Sequence, residues 1–137
     1  MENQNQSKTG SSGGGGSVYD GPGFQINELL LRLQNDEEII RIIIAQFMLD
    51  TPVQIRELQE AVTSGQTDRI RHISHTIKGS AATVAAEELR ALSSAIEQSA
   101  KNGTVEQTRS ELRELPAAFI RYADEVSTSG WYRESPE

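Results

Sequence analysis

The chain contains no cysteine, which excludes disulfides, thiolate metal sites and cysteine nucleophiles and fits a reducing compartment. Only two histidines are present, so a dedicated zinc site is not expected. No apolar run approaches the roughly 20 residues that a membrane span requires. The richest, Ile39 to Leu49, is interrupted by Arg41 and Gln46. The opening residues Met1-Glu2-Asn3-Gln4-Asn5 lack the basic start and apolar segment of a signal peptide. Positive charge is scarce: thirteen Lys and Arg stand against twenty Asp and Glu, a net charge of −7. A field of that sign does not favour nucleic acid. A cytoplasmic chain that neither binds nucleic acid nor inserts into a membrane is the expectation.

What the sequence does contain is one domain's worth of helix. Its 137 residues, 36% of them hydrophobic, allow a single modest core. Residues 1–23 are dominated by Asn, Gln, Ser and Gly, with Gly13–Gly16 and Gly21-Pro22-Gly23 as breakers. They have little to bury and read as a flexible tether. The domain proper is expected over 24–126, followed by a polar tail, 127–137, whose Trp131 and Tyr132 are placed to fold back. Between the tails no alternating pattern competes with the helical period.

A short helix is expected from Asn27 to Gln34, with Phe24 and Ile26 covering one end of the core. Asn35 and Glu38 have capping-box spacing for a long helix running to about Ser64. That helix is apolar around much of its circumference and should meet several neighbours. Pro52 should kink or interrupt it, and Gly65 should end it. A further helix opens at Thr67 or Asp68. Asn102-Gly103 is a stop, and Thr104 with Gln107 forms a second capping-box pattern. The last helix repeats Val105, Leu112, Leu115, Phe119, Tyr122 and Val126, broken only by Thr108, with Pro116 as a second expected kink. No local breaker divides Asp68 to Lys101, but a bundle this small cannot bury so long a rod, so a turn near Thr83–Ala86 is required. The fold expected is all-α: an antiparallel, up-down four-helix bundle with a short additional N-terminal helix.

On a helical wheel at about 100° per residue, Ile70, Ile73, Ile77, Ala81 and Val84 fall within about 60° of arc. His75 lies roughly 160° from the centre of that stripe, on the solvent side. Gly79 and Ala82 flank it one and two turns on, with no large side chain beyond. Lys78 stands one turn along. From Arg69 to Ala86 there is no acidic residue, while Arg69, Arg71 and Lys78 are basic. An acidic chain thus keeps one positive, open patch around one imidazole. A surface histidine on a helix is most often only a solvated polar residue. This setting, however, suits a ring nitrogen that accepts and returns a phosphoryl group: neutral imidazole, with an ordinary pKa of about 6.5, is a nucleophile near neutral pH, and lysine offers phosphate a compact charge. His72 is equally exposed without the open space. A metal reading through Asp68, His72 and His75 lacks a fourth ligand. Ser80, Ser93 and Ser94 have no basic partner and no nucleophile elbow.

The run His75-Thr76-Ile77-Lys78-Gly79-Ser80-Ala81-Ala82, followed by Val84 and Leu89, resembles the signature of histidine-containing phosphotransfer (HPt) domains, the relay modules of multistep two-component signalling. The resemblance extends over roughly 24–126 and includes the helix of Phe47 and Leu58 and that of Leu92, Ile96 and Glu97. It implies a four-helix bundle with His75 as phosphoryl carrier, Lys78 as its phosphate-side charge and Gly79 as the access residue. Glu97 matches a position where Glu or Gln on the adjacent helix lies near the histidine. Receiver domains of response regulators or hybrid sensor kinases are the implied partners, docking over Arg71, His72, Gly79, Ala82 and Glu97. The implied Mg2+ and most of the catalytic groups belong to the receiver, leaving this chain a carrier rather than an enzyme, without a cofactor or metal of its own. Ala85 departs from the family, which commonly has Gly at that turn. Two other readings share the bundle: the phosphoacceptor domain of a chemotaxis-type kinase, expected with kinase domains downstream, and a receiver-docking module that accepts no phosphate, against which intact His75, Lys78 and Gly79 argue. The exposed faces read polar enough for a monomer.

Overall fold

The computed structural model describes residues 26–133. The expected tether (1–23) and Phe24 lie outside them. Among the described residues five helices follow one another: α1 (Ile26–Arg32), α2 (Glu37–Thr63), α3 (Thr67–Thr83), α4 (Glu87–Asn102) and α5 (Val105–Thr128). Helices α2 to α5 form a closed ring in which each touches two of the others, and α1 packs on α2. From α2 to α5, loops of two or three residues leave successive helices no room except as antiparallel neighbours.

Each helix ends in the same hydrogen-bond pattern, a Schellman motif. A left-handed residue sends its N–H three residues back, and the next residue sends its own five back. Gly65, Gly103 and Gly130 occupy the left-handed seat of α2, α4 and α5, with bonds such as Gln66 N–H to Ala61 O (3.0 Å) and Thr104 N–H to Ser99 O (3.0 Å). α3 closes identically, Ala86 N–H reaching Ala81 O at 2.8 Å, but with Ala85 in the seat at φ 58°. That motif is the turn inside Asp68–Lys101 that lacked a local breaker.

Several expectations are corrected. The short helix is Ile26–Arg32 rather than Asn27–Gln34. Asn35, at φ 63°, belongs to the end of α1, and it is Asp36 that caps α2, accepting from Ile39 N–H at 3.2 Å. The second capping box does not form: Thr104 Oγ1 donates back to Ser99 O, and Gln107 bonds Glu111. Of the two outcomes expected at Pro52, interruption does not occur, and Pro116 likewise lies inside a continuous helix. Buried residues on both sides of each proline, Phe47 and Ile55 in α2, Leu112 and Tyr122 in α5, outweigh the roughly 3 kcal/mol a helical proline costs. The body also extends past residue 126, since α5 runs to Thr128 and Trp131 and Tyr132 pack on the core. Arg41 lies over the Trp131 ring, 4.8 Å from its centroid, and donates to Gly130 O.

The core is aliphatic around one aromatic group, Phe47 edge-on to Tyr122 with centroids 5.3 Å apart. Thr108, the polar break in the last helix, is buried and satisfied: its hydroxyl meets Ser99 Oγ at 2.6 Å. Val105 is exposed rather than part of the buried stripe, and Ile39, Ile42, Leu49 and Val53 leave α2 with an apolar outer face. Among the described residues no helix is long and apolar enough to cross a membrane.

Candidate functional site

The residues that bury α3 are those the wheel selects: Ile70, Ile73, Ile77, Ala81 and Val84 are all at most 7% exposed. That anchoring turns His75, midway along the helix, to solvent with 67% of its side chain accessible. The polar residues around it are satisfied locally. Ser74, Thr76 and Thr83 donate their hydroxyls to the carbonyls of Ile70, His72 and Gly79, four residues back, and so do not compete for the imidazole.

Glu97, on α4, is the group that organises the site. Its Oε2 lies 3.1 Å from His75 Nδ1, and its Oε1 lies 2.8 Å from Lys78 Nζ. The Lys78 hydrogen bond holds the Glu97 carboxyl below the ordinary carboxylate range; burial opposes this, and His75 adds to the lowering. An ionised carboxylate only accepts hydrogen bonds, so its partner Nδ1 must carry the ring proton. The lone pair then sits on Nε2. In this state the charge of Lys78 is matched by Glu97. The positive patch is further reduced by Arg69, which faces Glu60 at 3.9 Å.

Gly79 is exposed, and a Cβ built there would meet nothing within 4 Å. Packing within the chain therefore does not require glycine at that position. Ala82 is half-buried, while Arg71 and His72 are exposed on the same helix. Arg32 escaped the sequence reasoning. From α1 it donates to Ala82 O (3.2 Å) and Thr83 O (3.4 Å), giving the C-terminal end of α3 the cation its own last turn lacks. Only a basic residue at the end of a short helix could have pointed to it. Among the described residues no group of three or more His, Asp and Glu side chains could hold a metal ion.

No curated protein and no solved structure matches the chain significantly. A family model described as Hpt domain matches residues 42–125, more than half of the chain, spanning α3 and α4 with the groups above and most of α2 and α5. The chain therefore belongs to the Hpt domain family, phosphocarrier modules that act through a histidine in two-component signalling and interact with receiver domains.

Proposed function

We propose that His75 accepts a phosphoryl group from the aspartate of one receiver domain and passes it to another. The observation that carries this reading is an exposed imidazole whose Nδ1 is held by Glu97. The Nε2 lone pair attacks phosphorus, the bond from phosphorus to the aspartyl oxygen breaks, and the aspartate leaves as a carboxylate. The ring acquires positive charge, which the Glu97 carboxylate on Nδ1–H offsets. Lys78 exchanges its bond to Glu97 for one to the incoming phosphate, which carries nearly two negative charges at neutral pH. Transfer onward is the same step reversed. Gly79 leaves the approach to Nε2 open for the receiver's loops, with Ala82, His72 and Arg71 on the contact rim. Mg2+ and the remaining catalytic groups are the receiver's, so the chain acts as a carrier rather than an enzyme, and the relay takes place in the cytoplasm.

The test is transfer of label from a phosphorylated receiver to the wild type, His75→Gln and His72→Gln. The expected outcome is an acid-labile, base-stable adduct on the wild type and on His72→Gln, and none on His75→Gln, whose helical circular dichroism is unchanged. Acid-stable label, or equal loss in both variants, would contradict the assignment.

A further inference from the structure

Among the described residues nothing covers the large apolar side chains on the outer face of α2: Ile39, Ile42, Leu49 and Val53 are 45%, 60%, 67% and 44% exposed. They recur with Gln46 at spacings of three, four, three and four residues, within about 80° of arc. This is the seam of a two-helix coil. The seam is also palindromic about Gln46: Ile39 and Val53 lie seven residues either side, Ile42 and Leu49 four before and three after.

We propose that this face pairs with a second copy of the same chain, two α2 helices lying antiparallel about a two-fold axis beside Gln46. The symmetry sets Ile39 against the partner's Val53 and Ile42 against the partner's Leu49, an isologous contact. Charge selects the direction. Glu38 and Arg56 flank the stripe on one side, about 12 Å before and about 15 Å beyond Gln46 at 1.5 Å per residue. The two-fold keeps each on its own flank and brings Glu38 beside the partner's Arg56, twice. A parallel pair has its two-fold along the helices, which carries each flank to the opposite side and leaves Glu38 and Arg56 at different heights, so Glu38 would not meet the partner's Arg56. Among the described residues neither Glu38 nor Arg56 has an ion-pair partner within the chain. Gln46, which donates to Asp50 at 3.0 Å, meets its own copy at the axis, where a polar seam residue fixes register. The stripe is about 21 Å long, and one helix against one helix falls below the roughly 1,200 Å² of a standard interface. The association is therefore reversible.

Sedimentation velocity of the full chain from about 1 µM to about 1 mM tests this. The wild type should pass from monomer to dimer across that range. Ile42→Glu and Leu49→Glu, both solvent-facing and expected to keep native helical circular dichroism, should remain monomeric throughout. Glu38→Arg or Arg56→Glu alone should weaken dimerisation by roughly 2- to 30-fold, the range of two exposed ion pairs, and the double variant should restore it. A wild type monomeric at every concentration, a dimer indifferent to Ile42→Glu and Leu49→Glu, or a double variant no better than the singles would overturn the proposal. If the wild type is monomeric but Leu49→Glu loses receiver binding, the stripe belongs to the receiver contact and not to a second copy.

Discussion

Glu97 holds two groups at once, and the account depends on what each oxygen does. Without the carboxylate on Nδ1, a solvent-facing imidazole has no reason to keep its proton there, and the nucleophilic nitrogen is no longer fixed. Glu97→Ala is therefore predicted to release the tautomer, seen in 15N spectra as protonation appearing at Nε2. Loss of a charge-assisted hydrogen bond should slow phosphoryl transfer on the order of tenfold; an unchanged tautomer and rate would remove Glu97 from the mechanism. The pH sense follows from the carboxyl's lowered pKa. The Glu97 contacts contribute above the ordinary carboxyl range and are lost as pH falls through the depressed value. The residue was legible in the sequence only through the family resemblance, because nothing local to Glu97 says that α4 sets it against His75 and Lys78 on α3.

Along α3, glycine and alanine are placed in opposition to local propensity. Gly79 lies mid-helix with open space around it, so leucine there should stabilise the fold by up to about 0.8–1 kcal/mol. It would also stand one turn from His75 on nearly the same face. Gly79→Leu is predicted to raise the denaturant midpoint and abolish transfer; normal transfer would show that the approach to Nε2 lies elsewhere. Ala85 is the reverse case, a side chain in a left-handed seat at φ 58°. Relief of roughly 1–2 kcal/mol of strain against about 0.8 kcal/mol for the buried methyl predicts a small gain in unfolding free energy for Ala85→Gly, and a loss would show the methyl's packing to be the larger effect. These two residues also mark what the sequence could and could not show. Gly65 and Asn102-Gly103 announced their turns because the left-handed seat was filled by the residue that favours it. Ala85 did not, and the turn was recoverable only from the length of rod a small bundle can bury. The capping positions failed similarly: Asn35 and Asp36 are both good caps, and only the left-handed Asn35 decides between them.

At the scale of the whole molecule, that strained turn is held by the last helix. Tyr122 is buried, and its hydroxyl donates to Val84 O at 3.1 Å, joining α5 to the end of the site helix. Burial pushes its phenol well above the ordinary range, so it stays a neutral donor. Tyr122→Phe leaves the Val84 carbonyl without that donor and should cost about 1–3 kcal/mol in chemical unfolding. A variant as stable as the wild type would mean the turn is fixed by its Schellman bonds alone. The ring of helices was legible from period and loop length. The apolar outer face of α2 was not, because a helix apolar around its circumference does not declare which side meets its neighbours. The central claim, that His75 carries the phosphoryl group on Nε2, is tested most directly by NMR of the phosphorylated, 15N-histidine-labelled protein. The account predicts 31P–15N coupling to Nε2 of His75 alone, with Nδ1 still protonated. Coupling to Nδ1, or phosphorus on His72, would contradict it.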